Sequence, residues 1–338
     1  MSSATQIAEF IRSHDHFLIA AHVFPDGDNM GSTLAMSEGL RSLGKDVAMF
    51  IEGPIPRMYS WMPGADRIDL HLARALARLD GAVERPTLIV LDSGDLHRMG
   101  DEFDRWIEAQ DGLAIANIDH HVSNALFGTV NWVDADYSSV GEMIYEVFLA
   151  LGVAISPSIA QNLYVSVYTD TGRFSFSNTT ERSLRYASEF VAAGAKPVKA
   201  YFGVYANRSF ESFRLQTESF KTLTPFLDGK GLYFWVDRKM LKDTNTTLED
   251  TEGLIDTMRT LRDFDIVVFF KEIDDSDVRV SVRAAPPISG GALMARFGGG
   301  GHARAAGCRI LLPLKEAIEA FVKEAERAIR SGEVKENG

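Results

Sequence analysis

The sequence predicts an α/β protein: an N-terminal parallel sheet with helices on both faces, joined to a smaller α/β unit. Apolar runs alternate with helical patterns along the first part of the chain, as strands and crossover helices do in a parallel sheet. A "GAKP" stretch and a mixed polar and aromatic run then interrupt that pattern over 194–215. With 338 residues, 46% of them hydrophobic, the chain is long enough for two domains with cores of their own.

The elements follow in order. Residues 4–13 read as a short helix. "FLIAAH" is a buried strand ending at His22, and "VFPDGDNMGS" is a loop punctuated by Pro and Gly. Met36, Leu40 and Leu43 recur at helical spacing, with Gly44 as the stop. "DVAMFIE" is a second strand, 70–80 a helical segment, "TLIVLD" a third strand and "LAIANID" a fourth. Val140, Ile144, Val147 and Leu151 mark the next helix. Ser156 caps another, with Pro157 in its first position and its end near Asp170 and Gly172. A helix over 180–193 closes a first domain, 1–193, and 194–215 reads as a linker. The second domain, 216–338, has strands "GLYFWV", "FDIVVFFKEI" and "VRVSVRA" and a helix across "EGLIDTMRTLR". It continues with a glycine-rich segment and a final helix through "LKEAIEAFVKEAERAIRSG". The terminal "EVKENG" is expected to fray.

Composition narrows the function. The lone Cys308 forbids an internal disulfide, which fits a reducing compartment. The first twenty residues lack the features of a signal peptide, and no apolar run is long enough to span a bilayer. A cytoplasmic location with no membrane partner is expected. A net charge of -12 repels a long nucleic-acid duplex. Small anionic substrates stay open, because bound cations can reverse the local sign.

Acids and imidazoles gather where the strands end. His22, Asp26 and Asp28 follow the first strand, and Asp92 the third. Asp119, His120 and His121 follow the fourth, and Asp170 ends the capped helix. Ligands in open α/β sheets bind beyond the carboxyl ends of the strands, so these groups can converge on one crevice. Asp26 and Asp28, flanking Gly27, can face different cations, and Asp92 can bridge both. Mixed carboxylate and imidazole donors suit Mn²⁺, Fe²⁺, Co²⁺ or Zn²⁺ better than Ca²⁺. Without cations such crowded acids raise one another's pKa. The bland alternative, a helix cap or turn former, fits Asp26, Asp28 and Asp92 one at a time but not the set. His14, His16, His71 and His97 take the bland reading.

"HVFPDGDNMGS", "VLDSGD", "NIDHHVSN" and "VYTDTGRFSFSNTT" resemble the four motifs of the DHH phosphoesterases, and "VSVRA" with "ARFGGGGHARAAG" resembles the accessory DHHA1 domain. The likeness spans nearly the whole chain and is strongest to the nanoRNase and 3′-phosphoadenosine 5′-phosphate phosphatase type. It implies two divalent cations, Mn²⁺ above all. His22, Asp26 and Asp92 would hold one, and Asp28, Asp92, His120 and Asp170 the other. His121 would serve the phosphate as donor or proton source, with Asp119 orienting a histidine. The active site would lie in an interdomain cleft. The substrate would be short RNA or a mononucleotide bisphosphate, and the likeness also admits a homodimer. Cyclic or linear dinucleotides, or non-catalytic nucleotide binding, are the rival readings.

In the second domain, Gly299, Gly300 and Gly301 would let a ligand reach backbone N–H groups, and His302, Arg304 and Arg283 would hold its phosphate. Arg296 adds to this basic cluster, and Arg98 is a further substrate candidate. Ala284 stands where the family often has serine after the arginine, so this chain lacks that hydroxyl. Phe297 reads equally as a base-stacking or a core residue.

Overall fold

The computed structural model describes residues 3–79, 85–258 and 261–335. The chain divides into two compact units, Met1–Asn207 and Arg208–Gly338.

In the first unit, β1 (His16–Ala21), β2 (Asp46–Ile51), β3 (Thr87–Leu91), β4 (Ile115–Asp119) and β5 (Val130–Val133) form a parallel sheet. Its order is β2-β1-β3-β4-β5. Side chains alternate between two cores because a strand turns successive residues to opposite faces. Phe17, Ile19, Ile89, Leu91 and Ile118 face one core, and Leu18, Ala20, Leu88, Val90 and Ile115 the other. The first core is covered by α1 (Ala4–Arg12), α2 (Gly27–Ser42), α5 (Val140–Leu151), α6 (Pro157–Asp170) and α7 (Glu181–Ala192). The second is covered by α3 (Leu72–Ala77) and α4 (Asp101–Glu108). The chain leaves β1 toward β2 and returns to place β3 on its other side. The switch point therefore lies between β1 and β3, where a doubly wound sheet opens a crevice.

The helix α2 begins earlier than the sequence suggests. "DNMGS" belongs to its first turns rather than to a loop, because Asp26 caps it, accepting from the amides of Asp28 and Asn29. Gly31 lets α2 approach α6: a Cβ there would lie 2.4 Å from the carbonyl oxygen of Asn162. Gly31→Ala is expected to destabilise the protein by about 1–3 kcal/mol, the usual cost of overpacking. Urea unfolding checks this, and an unchanged midpoint would contradict the close packing. Strand β5 and helix α4 escaped the sequence reading; β5 is short, with only Trp132 buried among its four residues.

The expected linker over 194–215 is largely helical. It holds α8 (Pro197–Ala200), a π-helical turn over Tyr201–Tyr205 and the start of α9 (Phe210–Phe220). In the second unit, β6 (Thr224–Phe226), β7 (Gly231–Val236), β8 (Ile266–Asp274), β9 (Asp277–Ala284), β10 (Gly300–Gly301) and β11 (Ala305–Ile310) form a mixed sheet ordered β10-β11-β9-β8-β7-β6. Only β7 and β8 run parallel among the described strands of that sheet. The helices are α10 (Arg238–Thr244), α11 (Leu254–Met258), α12 (Gly290–Ala295) and α13 (Leu314–Ser331). Val268, Phe270, Val280 and Val282 share a core with Phe321 and Ala325 of α13. The sequence expectations for the ends of helices near 80 and 262, and for the tail, touch residues 80, 259, 260 and 336–338, which lie outside the described residues. The start of the tail is ordered: Val334 is buried, and its carbonyl accepts from Ser289 N at 2.8 Å.

Candidate metal centre

The loops after β1, β3 and β4 meet the end of α6 and the start of α5. His22 is buried, and its Nδ1 lies 2.9 Å from the Val23 carbonyl. A carbonyl can only accept, so Nδ1 carries the proton and Nε2 presents a lone pair. That Nε2 lies 3.9 Å from Asp92 Oδ2. His120 repeats the device: Nδ1 lies 3.2 Å from the Tyr137 carbonyl. Its Nε2 is 3.5 Å from Asp92 Oδ1, 3.6 Å from Asp170 Oδ2 and 3.8 Å from Asp28 Oδ2.

Each acid is placed by its element. Asp26 caps α2 through Oδ1 alone, so the cap and ligand readings coexist on one carboxylate. Asp28, the second residue of α2, is buried against the first amides of α5. Oδ2 accepts from Val140 N at 2.7 Å and Oδ1 from Gly141 N at 3.2 Å, with the Ser166 hydroxyl also donating. The positive end of a helix thus faces a carboxylate. Asp92 has φ 54° directly after β3, a left-handed conformation that Asp tolerates better than most residues. Asp119 is fully buried and accepts from His120 N at 2.9 Å, His121 Nδ1 at 2.7 Å and Asn124 Nδ2 at 2.6 Å.

Three sets of donor atoms each lie within 4.8 Å of one another: His22, Asp26 and Asp92; Asp28, His120 and Asp170; and Asp92, His120 and His121. His121 belongs less to the metal than the third set suggests, because its Nδ1 is committed to Asp119 and 3.6 Å from Asp92.

The electrostatics of this cluster demand positive charge. Burial, with the neighbouring acids, lifts the Asp92 and Asp170 carboxyls well above the carboxylate range. Burial also raises Asp28, although His120, Ser166 and the α5 amides oppose it. Burial pushes the His120 imidazole down, but Asp92, Asp170 and Asp28 outweigh it and lift it to about 11. Burial and Arg98 lower His22. For Asp119, burial is outweighed by the His121, Asn124 and His120 contacts, which hold it below the usual range. Without a cation, a proton on His120 Nε2 supplies part of the positive charge among the acids. Desolvated acids around imidazoles that can release such a proton are the donor set of a divalent cation, and the residues fit such a group.

In the first unit all eight acid and imidazole candidates lie together. Arg98 is exposed in the 3₁₀ turn Leu96–Met99, tied to the His22 loop by Val23 N to its carbonyl at 2.8 Å. Asn124, Ser166 and the α5 amides were missed. Asn124 sits inside the DHH stretch, but nothing in its spacing marks it as the partner of Asp119. His16 and His97 pair with Asp46 and Asp104 near the surface, as the bland reading held.

The second unit holds the remaining candidates. Gly299 cannot bear a side chain, since its Cβ would meet the Gly307 carbonyl at 2.2 Å. Gly300 and Gly301 form β10, exposed, and His302 N donates to the Ala305 carbonyl at 2.8 Å in the turn to β11. The glycine-rich segment is therefore a hairpin edge as well as a candidate site. Arg304 Nη1 lies 3.5 Å from the Ile288 carbonyl. Arg283 Nε pairs with Asp256 at 2.8 Å. Arg296 leaves the basic cluster, paired to Glu324 and Glu333. Phe297 stacks on Phe321 at 4.8 Å, so the core reading holds for it.

Comparison with known proteins agrees. The DHH family, N-terminal domain, matches residues 16–167, and the DHHA1 domain matches 228–331. The chain is similar to the bifunctional oligoribonuclease and PAP phosphatase NrnA of Bacillus subtilis, 28% identical over 309 residues, covering 90% of this chain and 93% of that protein. It is 30% identical over 316 residues to the protein of the same name from Thermus thermophilus, covering 93% and 90%. A crystal structure of an exopolyphosphatase-related protein from Bacteroides fragilis superposes with a TM-score of 0.88, at 24% identity and 96% coverage of both chains, a likeness of fold. With the motif-bearing loops gathered at the switch point and both domains matched in order, the chain belongs to the DHH family of phosphoesterases with a DHHA1 domain, hydrolases of phosphoester bonds.

Proposed function

We propose that this chain hydrolyses short oligoribonucleotides and 3′-phosphoadenosine 5′-phosphate, with two divalent cations, Mn²⁺ in the first instance. The observation that carries the reading is the shared Asp92, which lies within reach of both His22 and His120. His22, Asp26 and Asp92 would hold one cation, and Asp28, Asp92, His120 and Asp170 the other. Bound cations supply the charge that lowers the pKa of water to about 7 and offsets charge on the phosphoryl oxygens.

The rest falls to the chain's own residues. Asp119 fixes the His121 ring with its proton on Nδ1, so Nε2 is the atom that receives or returns a proton at the phosphate or leaving oxygen. Arg98 would add a planar fork for a phosphate beside the first ligand set. Arg283, His302, Arg304 and the amides of Gly299, Gly300 and Gly301 would hold the nucleotide end. A net charge of -12 disfavours long duplexes, and the names borne by the two relatives favour short RNA.

A substrate panel tests this. The purified protein with Mn²⁺ is assayed on linear and cyclic dinucleotides, short oligoribonucleotides, 3′-phosphoadenosine 5′-phosphate, pyrophosphate and longer RNA. Turnover is expected on short RNA and the bisphosphate. Turnover confined to cyclic dinucleotides would replace the reading, and none on any member would leave a nucleotide-binding protein.

A further inference from the structure

We infer that Asn178 is a positioning residue that binds Asp28, His120 and Asp170 into one unit, through the loop between β5 and α5. The inference rests on the reading that these three hold a cation. Asn178 Nδ2 donates to the Asp170 carbonyl at 3.1 Å and to the Ser138 carbonyl at 3.2 Å. One side chain thus ties the end of α6 to the loop over 134–139. Its buried Oδ1 receives no hydrogen bond among the described residues, so its donors are what orient the amide.

That loop and the first residues of α5 reach the other two ligands within five residues. The Tyr137 carbonyl accepts from His120 Nδ1, and the Val140 and Gly141 amides hold the two oxygens of Asp28. Ser138, between these contacts, is the residue Asn178 grips. The loop is stiffened from behind. Ser138 donates through Oγ to the fully buried Glu142 at 2.7 Å, and Arg182 pairs with Glu142 at 3.2 Å. The Arg182 guanidinium also stacks 3.7 Å over the Tyr137 ring. Glu142 itself belongs to none of the three donor sets. The set of His22, Asp26 and Asp92 hangs on other supports: the Val23 carbonyl, the first turn of α2 and the end of β3. Losing Asn178 therefore loosens one donor set and spares the other.

The test uses the full chain, titrated with Mn²⁺ while electron paramagnetic resonance reads the free ion, beside thermal melting of the metal-free protein. In Asn178→Ala one class of Mn²⁺ binding is expected to weaken by about 10- to 100-fold, the usual cost of losing an outer support of a ligand. The other class and the melting temperature stay put, and Asn178→Gln, which keeps both donors, recovers part of the loss. Unchanged binding in Asn178→Ala overturns the inference. So does a parallel loss of both classes with a fall in melting temperature, which marks a merely structural residue. A wild-type chain that takes up no Mn²⁺ overturns this inference and the cation reading together. Mn²⁺ uptake without hydrolysis overturns only the proposed activity.

Discussion

Asp92→Asn is expected to lower turnover on any accepted phosphoester by more than about 10³-fold, because no other described acid faces both His22 and His120. Asn accepts the left-handed backbone at this position about as well as Asp, so the loss reports chemistry rather than strain. At pH values high enough to ionise Asp92, the same change should stabilise the metal-free protein, by about 1 kcal/mol or more, since it removes a buried charge from among Asp28 and Asp26. The pH dependence follows with the same sign. The Asp92, Asp170 and Asp28 carboxyls and the His120 imidazole all have folded pKa values above their ordinary ones. Their protonated forms are favoured by folding, so stability is fullest at low pH and is lost as pH rises through the folded values. Melting of the chelated wild type should therefore fall as pH rises from about 6.5 toward about 11, the span set by His120, above the range in which the lowered His22 acts with the opposite sign, and Mn²⁺ should remove most of that slope. Calorimetry with and without chelator checks both. A metal-free protein that gains stability across that range, or Asp92→Asn with ordinary turnover, would remove the basis for a cation-centred mechanism.

His121→Gln should lower kcat by about 10²- to 10⁴-fold, the range for a positioned acid or base, while leaving Mn²⁺ uptake intact. The reason is the division of labour between adjacent rings. His120 turns Nε2 toward three carboxylates, whereas His121 spends Nδ1 on the buried Asp119. Steady-state kinetics beside a Mn²⁺ titration separates the roles. If uptake falls with kcat, His121 is a ligand, and the third donor set is the correct description.

Much of this protein is written in local pattern. Strands β1 to β4 follow from short apolar runs. The helix α6 follows from Ser156 and Pro157, which supply an acceptor for an early amide and a preset φ. Placing acids and imidazoles after those runs suffices to predict a centre, because parallel strands deliver their carboxyl ends to one side. Where local signals carry two meanings, the reading fails. "PDGD" looks like a turn, yet Asp26 both starts α2 and faces the centre. The stretch over 194–215 lacks a clear period, yet packing makes it largely helical.

Order along the chain determined which residues could be ligands, since donor chemistry and strand ends are both local properties. The supports that aim them were decided only by the folded chain. The α5 amides holding Asp28 are 112 and 113 residues away, the Tyr137 carbonyl is 17 from His120, and Ser166 is 138 from Asp28. Backbone amides and carbonyls are the same at every position, so no residue type announces which of them will meet a ligand. Tertiary packing alone selects them.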